Sequence, residues 1–153
     1  MNRAEFLAGL GDLKAAAGDY EQVLADDARN VVALNNLAWL LASDTQSAEK
    51  AIDLVTLATR EAGLTGDLLD TRARVRITLK QFDAAERDLA EAISYEPTAL
   101  RWFHVAVVRI SQPVPNTVEA GKAFTEAKRR GLEPRVIHPA DLPTYRVLEA
   151  KER

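Results

Sequence analysis

The 153-residue sequence lacks or is poor in several residue types that mark whole classes of protein. It contains no cysteine, which excludes disulfide bonds, thiol catalysis and cysteine-ligated metal sites. Its seven glycines and six prolines are too few for a loop-rich or collagen-like chain. No apolar run approaches the ~18 residues of a membrane-spanning helix, so we expect no membrane insertion. The residues around Arg3 and Glu5 lack the pattern of a secretory leader, which favours a cytoplasmic protein.

Charge is divided unevenly along a chain whose net charge is only −3. Residues 1–70 hold 5 Lys and Arg against 12 Asp and Glu, whereas residues 71–153 hold 15 against 11. Such a dipole either steers a charged partner, aligns neighbouring copies end to end, or is ordinary surface variation. The basic run at residues 128–130 lies near a predicted helix C-terminus and has no aromatic residues for base stacking. We therefore expect no nucleic-acid binding.

The apolar residues recur at helical spacing, and strand signals are nearly absent. With 47% hydrophobic residues, the chain is long and apolar enough to form one domain with its own core. Leu34, Leu37, Ala38 and Leu41 show the three-and-four spacing that indicates one face of a helix. Turn signals separate such stretches every 12–18 residues. The sequence therefore predicts an all-α fold made of a row of short helices.

Three columns of residues repeat four times at intervals of 34 or 35 residues. The columns run small, bulky, small: Ala16, Ala51, Ala85 and Ala120; Tyr20, Val55, Leu89 and Phe124; Val23, Ala58, Ala92 and Ala127. Small residues let paired helices approach closely, and the bulky residue fills the hole between them. One pair cannot bury its apolar face, but stacked pairs can, and they form a right-handed superhelix with a concave inner face.

These residues resemble a tetratricopeptide repeat (TPR) array over about residues 3–132. The third unit matches best, with Gln81, Phe82, Asp83, Ala84 and Ala85 followed by Leu89, Ala92 and Pro97. The stretch from Ala33 to Leu41 is similar to bacterial TPR proteins in particular. The resemblance implies a single domain at residues 1–153, with repeats at about 1–30, 31–65, 66–98 and 99–132. Prolines then break the chain, and an apolar stripe around Tyr145 predicts a capping helix within residues 133–153.

The resemblance also implies a peptide-binding groove, because the first helix of each TPR pair lines the concave face. The corresponding positions in this chain are Asn35, Asn36, Trp39, Asp70, Thr71, Arg74, Phe103, His104 and Val107. An aromatic ring beside amides suits an extended peptide, since the ring offers apolar area and the amides satisfy the peptide backbone. Trp39 fits the core as well as the groove, and Asn36 stands where the family often has a structural Asn.

The chain departs from the TPR pattern in two places. Only Asn36 matches the family's clamp for a C-terminal carboxylate, which argues against recognition of chaperone tails. Arg72 and Arg76 stand where the family buries apolar residues, and with Lys80 they form a basic stripe. We expect their apolar stems to pack along the seam while the charged ends reach water. The alternatives are pairing with carboxylates on the preceding helix, such as those of Asp53 or Glu61, and contact with an acidic partner.

No catalytic or metal-binding motif accompanies the repeats, so we expect neither an enzyme nor a cofactor. His104 and His138 lie in different units without a carboxylate or histidine at ligand spacing. The favoured function is a non-catalytic scaffold or adaptor that binds a protein or peptide segment in the groove. One alternative is a structural module that forms homo-oligomers through Phe6, Leu7 and Leu10 at the N-terminal end. The other is a regulatory or accessory domain of a larger bacterial protein.

Overall fold

The computed structural model describes residues 12–151, which form eight α-helices, two short 3₁₀ turns and no strand. The expected all-α class is therefore confirmed. The helices are α1 (Leu13–Asp26), α2 (Val31–Leu41), α3 (Ala48–Ala62), α4 (Gly66–Thr78), α5 (Phe82–Tyr95), α6 (Ala99–Ser111), α7 (Thr117–Arg129) and α8 (Leu142–Lys151). In this described range, no helix has both the length and the apolar character needed to cross a bilayer.

Polar side chains fix where five of these helices begin. The side chain at each N-cap accepts a hydrogen bond from the backbone N–H three residues further on, which satisfies one of the free donors of the first turn. The residues with this role are Asp12, Asn30, Thr65, Thr98 and Asn116. Helix α3 ends at Gly63, whose φ of 78° lies in the left-handed region that glycine adopts without strain. Local sequence therefore sets the short turns that the stacked pairs require.

Successive helices pack against each other, and a second set of contacts joins alternate helices. Helix α2 contacts α4, and α4 contacts α6, so these three form a continuous row, here called the inner row. Helices α1, α3, α5 and α7 pack beside this row as its partners and are called the outer helices. This arrangement places the sequence-predicted groove residues of three repeats on one row of helices.

The repeating columns lie at the seams between the helices. The alanines of the first column and the bulky residues of the second are all buried, and Ala58, Ala92 and Ala127 of the third column are buried as well. Val23, the first member of the third column, is exposed. The largest cluster extends from α4 to α8 and includes Leu132 and Ile137 from the segment before α8. In it, the ring of Phe103 lies 6.4 Å from that of Phe124 and 6.2 Å from that of Tyr145.

The two arginines of the basic stripe bind a carboxylate on the following helix, α5. Arg72 donates two hydrogen bonds, of 2.9 and 2.7 Å, to the buried carboxylate of Asp88, and Arg76 donates one of 2.6 Å. Hydrogen bonding to Asp88 raises the pKa of Arg72 above its usual value. The charged ends therefore bind Asp88 instead of reaching only water as expected. The alternative, pairing with Asp53 or Glu61, was wrong, because α4 turns this face toward its own partner helix rather than toward α3.

Candidate interaction surface

Residues 132–141, here called the strap, connect α7 to α8 and lie against the inner row of helices. The strap contains the 3₁₀ turns Pro134–Val136 and Pro139–Asp141. The ring of His138 meets the ring of Trp39 on α2 edge-on, with 4.7 Å between their centroids. The carboxylate of Asp141 accepts a 2.8 Å hydrogen bond from Nε of Arg74 on α4. The first part of the predicted cap therefore reaches back to the second and third repeats.

Arg74 is the centre of this contact and is only 3% exposed. One guanidinium nitrogen, Nη1, donates a 3.0 Å hydrogen bond to the carbonyl oxygen of Trp39, and Nη2 donates to the hydroxyl of Ser43. The guanidinium carbon lies 5.3 Å from the centroid of the Trp39 ring, within the range of a cation–π contact. Half-buried Trp39 thus lies between α4 and the strap, touching Arg74 on one element and His138 on the other.

His104 and Asp70 form a second buried pair on the inner row. Nδ1 of His104 lies 2.6 Å from Oδ1 of Asp70, and His104 is 2% exposed. Arg74 lies one turn after Asp70 on α4, but the partner of Asp70 is His104, on α6. The side chain of Thr71 is also buried. These contacts join neighbouring inner helices rather than pointing to an open surface.

Phe103 and Val107 lie deeper than an open groove would place them. Both are buried in the cluster that joins α6, α7 and α8, and the ring of Tyr145 on α8 covers Phe103. In the arrangement described, neither side chain is open to a peptide, and Phe103 has Tyr145 of α8 packed against it. The sequence pattern predicted their positions on the inner helix but could not show that α8 packs there.

His138 is a buried imidazole with an unusual environment. Its Nδ1 accepts a 3.1 Å hydrogen bond from the backbone N–H of Ala140, and its Nε2 has no hydrogen-bond partner. Burial, reinforced by the positive charge of Arg74, lowers the pKa of His138 to about 4, although Asp141 opposes this shift. The imidazole is therefore neutral at pH 7 and packs on Trp39 as an uncharged ring.

The inner row also contains a part that the strap leaves open. A cavity of about 330 Å³ lies between the first turns of α2 and α4, lined in part by Val32, Asn35, Asn36, Thr65 and Asp67. Oδ1 of Asn35 is buried there without a hydrogen-bond partner. Nδ2 of Asn36 instead donates a 3.0 Å hydrogen bond to the hydroxyl of Tyr20 on α1. Val32 at the rim is 59% exposed.

A second cavity, of about 400 Å³, lies between α5 and α6. It is lined by Glu86, Ala90, Ile93, Trp102, Val105 and Arg109. Nε1 of Trp102 is buried without a hydrogen-bond partner, and Arg109 forms an ion pair of 3.5 Å with Glu86. The repeat pattern gave no indication of this cavity.

Sequence reasoning missed three residues of the candidate surface: Ser43, His138 and Asp141. Ser43 follows α2, and the other two belong to a proline-rich segment with no helical periodicity. The only sequence signal of His138 and Asp141 was that they are polar residues near prolines. The predicted self-association residues Phe6, Leu7 and Leu10 lie outside the described residues. Across residues 12–151, no three His, Asp or Glu side chains are grouped so as to hold a metal ion.

The fold is similar to that of MamA, a TPR-like protein whose crystal structure has been solved. The TM-score is 0.62, the similarity covers 86% of this chain and 75% of MamA, and the sequences are 19% identical. No protein-family model matches this sequence, and no curated protein matches it. The similarity and the stacked helix pairs confirm a TPR-like α-solenoid fold.

Proposed function

We propose that this chain is a non-catalytic adaptor of the bacterial TPR type, which binds an extended segment of a partner protein along its concave face. One observation carries the proposal: an irregular segment, the strap, already lies along the inner helices. It is held there by a ring contact to Trp39 and an ion pair to Arg74. A face that accommodates one irregular segment has the shape and polarity to accommodate another.

The open cavity beside the strap supports this proposal. It combines exposed apolar area at Val32 with the amide side chain of half-buried Asn35 in its lining. An extended peptide needs both, because it buries apolar side chains and requires polar partners for its backbone groups. We therefore assign the first contact with the partner to this end of the groove, next to the strap.

Site-specific photocrosslinking tests the proposal. A photoreactive residue such as p-benzoylphenylalanine replaces Val32 on the inner row in one variant. In the control variant it replaces Tyr95 on the outer helix α5, which is equally exposed, at 58% against 59%. We expect a discrete crosslinked protein from the Val32 position and none from the Tyr95 position. Equal crosslinking from both positions, or none from Val32, would contradict a partner site on the concave face.

A further inference from the structure

We propose that the strap is a built-in competitor for the partner, and that the partner segment carries a carboxylate three residues after a ring-bearing side chain. The strap has this arrangement in His138 and Asp141, which contact Trp39 and Arg74 respectively. The inference rests on the proposed function and adds the chemistry of the ligand and the regulation of the site.

Arg74 is positioned by the scaffold and not by the strap. Its two neutral acceptors, the carbonyl of Trp39 and the hydroxyl of Ser43, belong to α2 and the turn that follows it. The ring beneath it also belongs to α2. In the part of the chain that the structure describes, Asp141 is the only carboxylate within ion-pair distance of Arg74. The scaffold thus holds a fixed guanidinium, and the occupant of the groove supplies the counter-charge.

The strap is held in place by a few buried side chains and not by its backbone. Most of its side chains are exposed, and only Leu132, Ile137 and His138 are buried. In the described structure, the backbone hydrogen bonds of residues 133–141 close the two 3₁₀ turns and do not extend to the inner helices. Pro134 and Pro139 prevent the segment from continuing α7 as a helix. Its release therefore exposes three buried side chains and breaks the contacts to Trp39 and Arg74, but among the described residues it breaks no backbone–backbone hydrogen bond to the inner helices. Such a release is a local unfolding of one segment.

Competition by the strap lowers the apparent affinity for the partner by the fraction of molecules whose groove is open. If the strap covers the site in about 99% of molecules, the partner binds about 100-fold more weakly than it would to an open groove. A ligand that reproduces the ring and the carboxylate makes the same two contacts in trans. The strap's own sequence is therefore the appropriate probe.

The experiment uses a fluorescein-labelled synthetic peptide of residues 132–143, titrated with the full chain and followed by fluorescence anisotropy. The release variant carries His138→Ala and Asp141→Ala, which remove the two contacts in cis. The matched control carries Glu133→Ala and Arg135→Ala, which change exposed strap residues that pair only with each other. We expect the release variant to bind the peptide at least tenfold more tightly than the wild type, and the control to bind like the wild type.

A second peptide, in which Asp141 is replaced by Asn, tests the chemistry without altering the protein. It should lose at least tenfold in affinity for the release variant. Equal binding of the first peptide by wild type and release variant, or equal binding of both peptides, would overturn the inference. Circular dichroism checks that the release variant keeps its helices; if it does not, Asp141→Asn alone is the milder variant for the same titration.

The two proposals fail separately. If wild type and release variant bind the peptide with equal affinity while position 32 still crosslinks a partner, the strap is not a competitor, and the adaptor function stands. If the release variant binds the peptide more tightly than the wild type while position 32 crosslinks nothing, the strap-binding site stands, and the adaptor function is wrong.

Discussion

Mild acid should weaken the attachment of the strap, because His138 is buried in a form that resists protonation. Its pKa is lowered to about 4 from an ordinary value of 6.5. Of the groups that face it, Arg74 and His104 oppose protonation, whereas Asp141 and the backbone of Leu40 favour it. Once the strap leaves the groove, the imidazole meets water and regains its ordinary pKa. Below pH 6.5 the released or unfolded state therefore binds more protons than the folded state.

The sign and size of the effect follow from proton linkage. A base whose pKa is depressed on folding contributes stability that is fully present above about pH 6.5 and is lost as the pH falls toward 4. With these two pKa values, lowering the pH from 7 to 5 removes about 2 kcal/mol from the free energy that holds His138 in place. That loss corresponds to about a 30-fold change in the ratio of closed to open strap.

Urea unfolding at pH 7 and pH 5 measures this loss, with Trp39 fluorescence as the readout next to His138. A Trp102→Phe background removes the other indole, whose N–H has no hydrogen-bond partner to lose. The control is His138→Gln, which is polar but does not titrate between these pH values. We expect the protein with His138 to lose about 2 kcal/mol more stability than the control on acidification. Equal losses in the two proteins would refute the buried, neutral His138 on which the argument depends.

Four further substitutions test the packing of the solenoid, each by the shift of the urea midpoint. Asp88→Asn should destabilise by about 3 kcal/mol, because it leaves two half-buried guanidinium groups without their carboxylate; a loss under about 1 kcal/mol would contradict this. Gly66→Ala should destabilise although alanine favours helices, since its Cβ would lie 2.7 Å from Nη2 of buried Arg101. A Cβ at Gly121 would have no heavy atom within 4 Å, so Gly121→Ala should stabilise the helix by roughly 0.5–1 kcal/mol. If both glycine substitutions changed the free energy of unfolding in the same direction, the predicted clash at Gly66 would be wrong. Ala85→Leu should overpack a fully buried seam, at a cost of about 1–3 kcal/mol, and an unchanged midpoint would exclude close packing there.

The repeat columns could be predicted from the sequence because they arise from short-range geometry. Ala85, Leu89 and Ala92 lie on one face of one helix, and the same spacing in the other units shows which faces must meet. The inner positions of Trp39 and Arg74 were implied by the resemblance to TPR arrays, in which the first helix of each pair lines the groove. Periodicity therefore determined which helices form and which of their faces pack together.

The strap could not be predicted in this way, since its contacts depend on residues far apart in sequence. Arg74 and Asp141 are 67 positions apart, and no periodic pattern in the sequence links the two positions. Two prolines remove the helical period that placed every other element. A segment without periodicity has no face to assign, so its path across the inner helices is visible only in three dimensions.

The buried charge of Arg74 limits what can replace the strap. A segment without a carboxylate would displace Asp141 and leave a guanidinium that is 3% exposed without a counter-charge. Removing one partner of a buried ion pair costs about 3–5 kcal/mol, which weakens binding by more than about 100-fold. Asp70 on the same helix cannot take over without releasing His104. Selectivity at this site would therefore come less from attraction to an acidic segment than from the rejection of neutral ones.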